Sequence, residues 1–530
     1  MEGSGVSFEG KVVSFIDIGT NSIRTAVVRL NPNYSYTVLS RQKQVVRLGE
    51  AEFLDQMLIP EAMDRCVVVC RRFMEMGKAF GSTEFMAVAT SAAREAKNQE
   101  VLLERLRKEA GLEVRVVSGK EEARLIYVGV ASSMHLEGKL AVFMDIGGGS
   151  TEVAVGDSRE YLLLDSLKLG AIRISTLFNQ DDDAGPVYPE RYALMKKSVR
   201  NESVRTIQRV RAYHPQVAVG SSGTIMNLAE IANRSLNGAP PAREQVLTLA
   251  RLKKVIAHLC SLDLEERRKV PGINPERADI IVGGAAVLET LMEEIGLAEI
   301  VVSDRGLLDG MLFEYLSRLE GFPYYQQMSV RERSVLQLGR SCAVDEGHAN
   351  TIKRLALEMF DSGKEEGLHD LGPRERELLE YAAYLHDVGD FISFTNHQAH
   401  SYYIIRNAEL LGFDQKEIEI MANLAKYHRK KGPSKKEGVP GLDEKGLKTL
   451  IVLSAFLRIA ESLDRSHCAL IKSARFVNAT DEGALLEITM TGDCQLETWG
   501  VESQVKGFRK AFDLDLLLRF RMASALDGEG

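Results

Sequence analysis

The chain has 530 residues, enough for roughly three or four domains. Its formal net charge of −8 argues against a general nucleic-acid binder, which is normally basic. No apolar run approaches the length of a membrane span and no basic-then-apolar leader opens the chain, so neither nucleic acid nor a membrane is expected as a partner and a cytoplasmic protein is expected. A polyanionic substrate stays open, because local positive patches decide that. The six cysteines are scattered, without zinc-ligand spacing, and are expected to be reduced thiols.

The most informative feature in the first third is internal. Residues 15–28 read FIDIGTNSIRTAVV and residues 143–156 read FMDIGGGSTEVAVG. Asp17 aligns with Asp145, Gly19 with Gly147, Ser22 with Ser150 and Val27 with Val155. Each copy predicts an apolar strand, a small polar turn and a second strand, and the spacing of the copies predicts two similar halves. Residues 61–80 carry apolar residues at helical spacing. FMAVATSAAREAKN (85–98) predicts strand, turn and helix with Ser91 as N-cap, and VRVVSGKEEARLIYVGVA (114–131) predicts the same with Ser118 as cap. Glu121 and Glu122 fall in that helix's first turn, where the dipole favours negative charge.

VAVGSSGTIMNLAEI (217–231) and EIVVSDRGLLDGML (299–312) are further strand–turn–helix units, and ADIIVGGAAVLETLM (278–292) is helical. Residues 1–318 therefore read as α/β. From about residue 328 to 470 the pattern is helical and holds seven of the ten histidines. A basic stretch interrupts it, with Lys426, Arg429, Lys430, Lys431, Lys435 and Lys436. Such a run is either a solvated loop or a strip guiding a long polyanion. Short strands return from about 471, as in ALLEITMTG (484–492).

The two Asp-Gly turns carry the chemistry. Consecutive N–H groups in a small-residue turn form an anion nest, and Gly147, Gly148 and Gly149 carry no Cβ to block a phosphate oxygen. Ser150 and Thr151 add hydroxyls. A carboxylate at such a turn repels phosphate unless a hard cation lies between, which places Asp145 at a cation site that Glu152 would complete directly or through water, with Asp17 at the matching position of the first copy. Gly220, Ser221, Ser222, Gly223 and Thr224 form a third small-residue turn ahead of a helix, a position suited to phosphate.

DIGTNSIR, ATSAAREA, SGKEEARLIYVGVA, DIGGGSTEVAVG and GSSGTI, in this order, resemble the exopolyphosphatase/guanosine pentaphosphate phosphatase family. The resemblance covers nearly the whole chain. It implies two actin-like (ribonuclease H-like) halves, followed by an all-α HD-like domain and a small C-terminal α+β domain, with boundaries at 1–128, 129–320, 326–470 and 471–530. It also implies hydrolysis of the terminal phosphoanhydride of inorganic polyphosphate or of guanosine pentaphosphate, with Mg²⁺ or Mn²⁺, by a homodimer. Carried over on the matching motifs, Glu122 is the base that activates water, and Arg94 joins the cation in offsetting phosphate charge. The first loop supplies Asp17, Asn21, Ser22 and Arg24. Phosphoryl transfer needs positioning and charge neutralisation more than covalent chemistry, and this set provides both.

The helical domain resembles the metal-dependent HD phosphohydrolase fold, whose signature is a His, a His-Asp pair and a distant Asp. His348, His386, Asp387, His400, His428 and Asp464 supply those types, and they suit a transition metal. Domains of the first family are often degenerate at the His-Asp pair, whereas this chain keeps it. Exopolyphosphatase activity is the leading expectation, with guanosine pentaphosphate phosphatase beside it. A sugar or acetate kinase of the same fold gives no reason for the EEA motif, and a non-catalytic actin-like (p)ppGpp sensor requires Glu122 to be dispensable.

Overall fold

The structure is a computed structural model that describes residues 10–33, 35–50, 55–134, 136, 138–178, 184–237, 245–319, 328–408, 410–429, 432–433, 438–480 and 482–523. The chain divides into two compact units, Met1–Val330 and Arg331–Gly530.

The first unit holds two mixed sheets of matching design. One contains β1 (Val12–Ile18), β2 (Ser22–Leu30), β3 (Tyr36–Val45), β4 (Ser82–Ala89) and β5 (Val114–Val116), in the order β3-β2-β1-β4-β5. The other contains β6 (Ala141–Ile146), β7 (Thr151–Gly156), β8 (Tyr161–Leu167), β9 (Val217–Ser221), β10 (Gln245–Thr248) and β11 (Glu299–Val302), in the order β10-β11-β9-β6-β7-β8. In both, a three-strand antiparallel meander is continued from its first strand by a parallel crossover strand, β4 on β1 and β9 on β6. The sequence repeat therefore marks the first hairpin of each half. These hairpins read as near-continuous apolar runs because both of their faces are covered: every residue of β1 and of β7 is buried.

Helix Pro60–Ala79 opens with Pro at its first turn and packs Cys66, Cys70 and Phe73 under the first sheet. All six cysteines are free thiols. Helix Gly119–Ala131 starts at Ser118, as its capping hydroxyl predicts. Ser91 behaves otherwise: it is the first residue of helix Ser91–Glu95, and Thr90 precedes it as N-cap. The Ser91 hydroxyl donates to Glu95 Oε1 at 3.1 Å rather than capping an amide.

Helices Gly119–Ala131 and Leu307–Ser317 cross beside β1 and β6 in one core with Phe15, Leu125, Phe143, Met311 and Tyr315. They approach backbone to backbone: a Cβ on Gly129 would collide with the Gly306 carbonyl, and one on Gly310 with the Leu125 carbonyl. This crossing fixes the helix that carries Glu121 and Glu122 against both sheets. The boundary expected at 128/129 falls inside it.

The second unit is a helical bundle with a three-stranded sheet, β12 (Ile471–Thr480), β13 (Gly483–Met490) and β14 (Leu516–Met522), in that order. β13 pairs antiparallel with β12 and parallel with β14. Bundle and sheet share one core, in which Phe456 meets Phe360, Phe476 and Phe512 at centroid separations of 6.1, 6.2 and 5.5 Å. The expected boundary at 470/471 thus marks a change of secondary structure, not a break in packing. Among the described residues no helix is long and apolar enough to cross a membrane.

Candidate active site

Each half presents the same turn at the same place. β1 delivers Asp17 and turns into β2, with the Gly19 amide donating to the Ser22 carbonyl at 3.1 Å. β6 delivers Asp145 and turns into β7, with the Gly147 amide donating to the Ser150 carbonyl at 2.9 Å. The two turns face each other, since a Cβ on Gly148 would lie 3.0 Å from Thr20 Cβ. The Gly148 carbonyl accepts from the Ile172 and Arg173 amides at 2.9 and 3.1 Å. The Gly149 carbonyl accepts from Arg173 Nε at 2.7 Å. With their carbonyls held on one side, the N–H groups of Gly148 and Gly149 meet no acceptor among the described residues, which is the form of an anion nest. Gly170 permits this arrangement, because a Cβ there would run into the backbone of Gly148 and Gly149. Sequence reasoning missed Gly170 and Arg173. Their one local signal is a glycine directly ahead of the apolar segment AIRI.

The third turn joins β9 to helix Ser222–Asn237. Ser222 lies in the left-handed region at φ 88°, a strain of the kind that collects at functional sites. Ser222 and Gly223 line the cleft together with Asp17, Asn21, Ser22, Arg24, Glu122, Asp145 and the Gly147–Ser150 turn. The Ser221 hydroxyl donates to Asp145 Oδ2 at 2.5 Å and so orients the carboxylate.

Ser221 itself does not line the cleft, and neither do four other expected ligands. The Thr151 hydroxyl donates to the Leu169 carbonyl at 2.5 Å. Gly220 is packed against Ile225 and Ile300. Thr224 is buried, with its hydroxyl 3.5 Å from Arg277 Nη1. Glu152 is buried and accepts from the Ser166 hydroxyl at 2.8 Å. Burial and the neighbouring Glu122 hold its carboxyl well above the usual range.

Glu121 and Glu122 part company within one helical turn. Glu121 pairs with Arg124 at 2.8 Å and remains a capping acid. Glu122 is buried and faces the cleft. Burial pushes its pKa up to about 7, Arg94 pulls it back, and the charges of Asp17 and Asp145 add to the rise. Arg94 donates to Glu122 Oε2 at 2.8 Å and to the Val117 carbonyl at 3.0 Å. Arg94, expected to offset phosphate charge, does not line the cleft, and its Nη1 is held by the glutamate.

Sequence reasoning missed two cations. Arg277 lines the cleft, reaching it over Gly223, where any Cβ would overlap the guanidinium. Lys43 stands opposite Arg24 in the β2–β3 register. Burial lowers the Lys43 pKa to about 8, with Arg277 and Arg24 adding to the effect. Burial and then Arg24 lower Arg277 to about 10. None of the three makes an ion pair with a carboxylate among the described residues. The signals were weak: Lys43 alternates within a polar strand, and Arg277 sits in the loop segment NPER. Burial also raises Asp17 to about 6, with Asp145 contributing, and raises Asp145. Both polar atoms of the Asn21 side chain are buried without a partner.

In the second unit, two groups of side chains share Asp387: His348, His386, Asp387 and Glu461, and Asp387, His397 and His428. His348, His386, Asp387 and His428 are thus brought together as expected. His400 is not part of either group and His397, one turn earlier on helix His397–Asn407, takes that place. Asp464 stands behind His348, bonded to its Nδ1 at 2.8 Å, and Glu461, one turn earlier on helix Glu444–Leu463, occupies the inner position. Of the basic stretch, Lys426 lies over the Tyr402 ring and Arg429 approaches Glu461 Oε1 at 3.7 Å. Lys430, Lys431, Lys435 and Lys436 lie outside the described residues.

Facing glycine turns from two like halves, buried carboxylates and unpaired cations around a glutamate define a phosphate-handling cleft of the actin-like class. Residues 26–319 match the Ppx/GppA phosphatase family and residues 330–502 match Ppx/GppA phosphatase, domain III. The chain belongs to the Ppx/GppA phosphatase family. It is 27% identical over 414 residues to a guanosine-5'-triphosphate,3'-diphosphate pyrophosphatase of Photobacterium profundum, covering 78% of this chain and 80% of that one. It is similar to the crystal structure of an exopolyphosphatase from Cytophaga hutchinsonii, at 26% identity and a TM-score of 0.55 over 58% of this chain and 99% of that one. An exopolyphosphatase-like protein aligns at 25% identity and a TM-score of 0.53, over 58% of this chain and 98% of its own length.

Proposed function

We propose that the chain hydrolyses the terminal phosphoanhydride of inorganic polyphosphate. The observation that carries this reading is Glu122, a buried carboxylate with a pKa near 7 set beside an amide nest and a group of unpaired cations. The terminal phosphate would rest its oxygens on the Gly148 and Gly149 amides, with Ser22 and Ser150 hydroxyls alongside. Arg24, Lys43 and Arg277 would take the charge of the following phosphates. Glu122 would remove a proton from the attacking water, and Arg94 would keep its carboxylate aimed and partly ionised near neutral pH. The leaving chain departs as a phosphate anion.

Mg²⁺ or Mn²⁺ fits this donor set. Asp17 is buried and Asp145 half-buried, neither with an ion-pair partner among the described residues, and the unpartnered Asn21 amide lines the same cleft. An all-oxygen site of this kind suits a hard cation, which when bound would offset phosphate charge. A second reading, removal of the terminal phosphate of guanosine pentaphosphate, is favoured by the name of the Photobacterium relative. Phosphate release from long-chain polyphosphate and from guanosine pentaphosphate, with and without Mg²⁺, tests both. Faster turnover of the nucleotide at equal concentration replaces the first reading by the second, and release from neither overturns both.

A further inference from the structure

One ion pair between the two halves of the first unit ends on the amide nest. Glu95 is the last residue of helix Ser91–Glu95 in the first half, and Arg173 belongs to helix Ala171–Phe178 in the second. Arg173 Nη2 donates to Glu95 Oε1 at 2.8 Å. The same arginine donates from Nε to the Gly149 carbonyl at 2.7 Å and from its amide to the Gly148 carbonyl at 3.1 Å. Glu95 is held from other sides as well. The Ser91 hydroxyl donates to Oε1 at 3.1 Å, and Lys168 Nζ lies 3.4 Å from Oε2. The pair is shielded, with side chains 14% and 12% exposed, so salt screens it little and its charge-assisted bonds keep their strength. Burial raises the Glu95 pKa, but Arg173 and then Lys168 more than offset it, and the carboxyl lies below its usual range. Arg47 also joins the halves, but it ends on Asp279 and the Glu276 carbonyl rather than on the glycine turn.

The short helix that carries Glu95 also carries Arg94, which donates to Glu122 Oε2 at 2.8 Å. Adjacent residues of one helix thus reach the two parts of the cleft that must meet. Arg94 reaches the base, and Glu95 reaches the nest through Arg173. The helix is firmly seated. Ser91, Ala92 and Ala93 are buried. The Arg94 amide donates to the Thr90 carbonyl at 2.9 Å, and the Thr90 amide donates to the Ile18 carbonyl at 3.2 Å, at the end of β1. That strand also delivers Asp17, so base, nest and cation-site carboxylate are all referred to one frame.

We infer that Glu95 and Arg173 are positioning residues for phosphoanhydride hydrolysis: the pair sets the nest of one half against the base held by the other, and so aims the attacking water at the terminal phosphorus. This inference rests on the hydrolysis proposed above. The two residues act differently. Arg173 holds the Gly148 and Gly149 carbonyls back and shapes the nest itself. Glu95 acts on the nest only through where Arg173 stands. A misplacement of about 1 Å between reacting groups can cost about 100-fold in rate. Alignment of water, phosphorus and leaving oxygen counts most in the transition state. Loss of Glu95 should therefore lower turnover and spare substrate affinity, which Arg24, Lys43 and Arg277 continue to supply.

The test compares Glu95→Gln, Arg173→Gln and the double variant with wild type. It uses the full chain with Mg²⁺, on whichever of long-chain polyphosphate and guanosine pentaphosphate the wild type turns over faster. Glu95→Gln keeps the side chain's shape. It should lower kcat about 10- to 100-fold and leave KM within about twofold of wild type. Orthovanadate, which adopts the five-coordinate geometry of the transition state, should inhibit Glu95→Gln more weakly by about the factor lost in kcat, whereas inorganic phosphate should inhibit both proteins alike. A merely structural role reduces the amount of active enzyme and moves neither inhibition constant. The double variant should be no slower than Arg173→Gln alone, because both changes break the same link. Any of four results overturns the positioning role: a Glu95→Gln kcat within about twofold of wild type, a lower kcat with both inhibition constants unchanged, equal weakening of vanadate and phosphate, or additive losses in the double variant. Wild type that releases phosphate from neither substrate overturns the proposed function, and this inference with it. A failure confined to the variants leaves that function standing.

Discussion

The cleft of the first unit offers cations only oxygen, whereas the cluster of the second offers chiefly imidazole nitrogen. Asp17, Asp145 and the glycine turns come from strand ends, where backbone amides point outward and glycine admits close approach. His348, His386, His397, His428 and Glu461 come from helix faces, where side chains alone reach inward and each needs a bond behind it to hold its aim. The contrast teaches what each framework can build. Strand–turn junctions make hard, anion-embracing sites from a few adjacent residues, and helix bundles make softer sites from residues far apart in the chain.

The sharpest way to separate the two regions is Glu122→Gln. It should lower phosphoanhydride hydrolysis about 100-fold to 10,000-fold. Phosphate release within a few-fold of wild type would remove Glu122 as the base. Asp145→Asn comes next. Removing a group that only supports a ligand weakens metal binding roughly 10- to 100-fold, so loss of a ligand carboxylate should raise the half-saturating Mg²⁺ concentration by at least that much. An unchanged Mg²⁺ titration would take Asp145 out of the cation site.

That contrast also governs how much could be read from sequence. The cleft was legible because each half compresses its chemistry into one short motif. Asp17 and Asp145, the glycine turn and Glu122 lie where the motifs place them. What escaped came from other stretches of chain: Lys43 from a cross-strand neighbour, Arg277 from a loop, and Gly170 from a contact between backbones. Thr151 and Glu152 belong to the same motif as the nest, but bonds to Leu169 and Ser166 hold their side chains away from the cleft. The histidine cluster was legible in residue type but not in detail. His397 and His400 sit three residues apart on one helix, whose rotation decides which faces inward, while Glu461 lies in the last turn of its helix and Asp464 just past its end.

Arg94→Gln tests whether the cleft's base is tuned by its neighbour. Arg94 lowers the Glu122 pKa, so its removal must raise it, and the acid limb of kcat/KM should move to higher pH. On that limb the rate changes about tenfold for every pH unit by which the limb moves, so activity at pH 7 should fall relative to wild type, and the ratio of the two rates should return toward one as pH rises. A purely structural role would lower the rate equally at every pH.

The smallest expected effect is at Lys43, and it bears on the phosphates behind the terminal one. Burial and the charges of Arg277 and Arg24 hold this ammonium down to about 8, so it is charged at neutral pH and loses its proton as pH rises through that value. A bound polyanion favours the charged form, which means substrate and proton bind together. The free enzyme should therefore show a basic limb near pH 8 in kcat/KM, with kcat nearly flat, because kcat reports the complex in which the proton is retained. Lys43→Met keeps the length of the stem and removes the charge. It should raise KM for long-chain polyphosphate only several-fold at pH 7, since Arg24 and Arg277 remain, and it should erase the basic limb. A limb near pH 8 that persists in Lys43→Met would belong to another group, and Lys43 would then be a strand residue beside the cleft rather than part of its anion site.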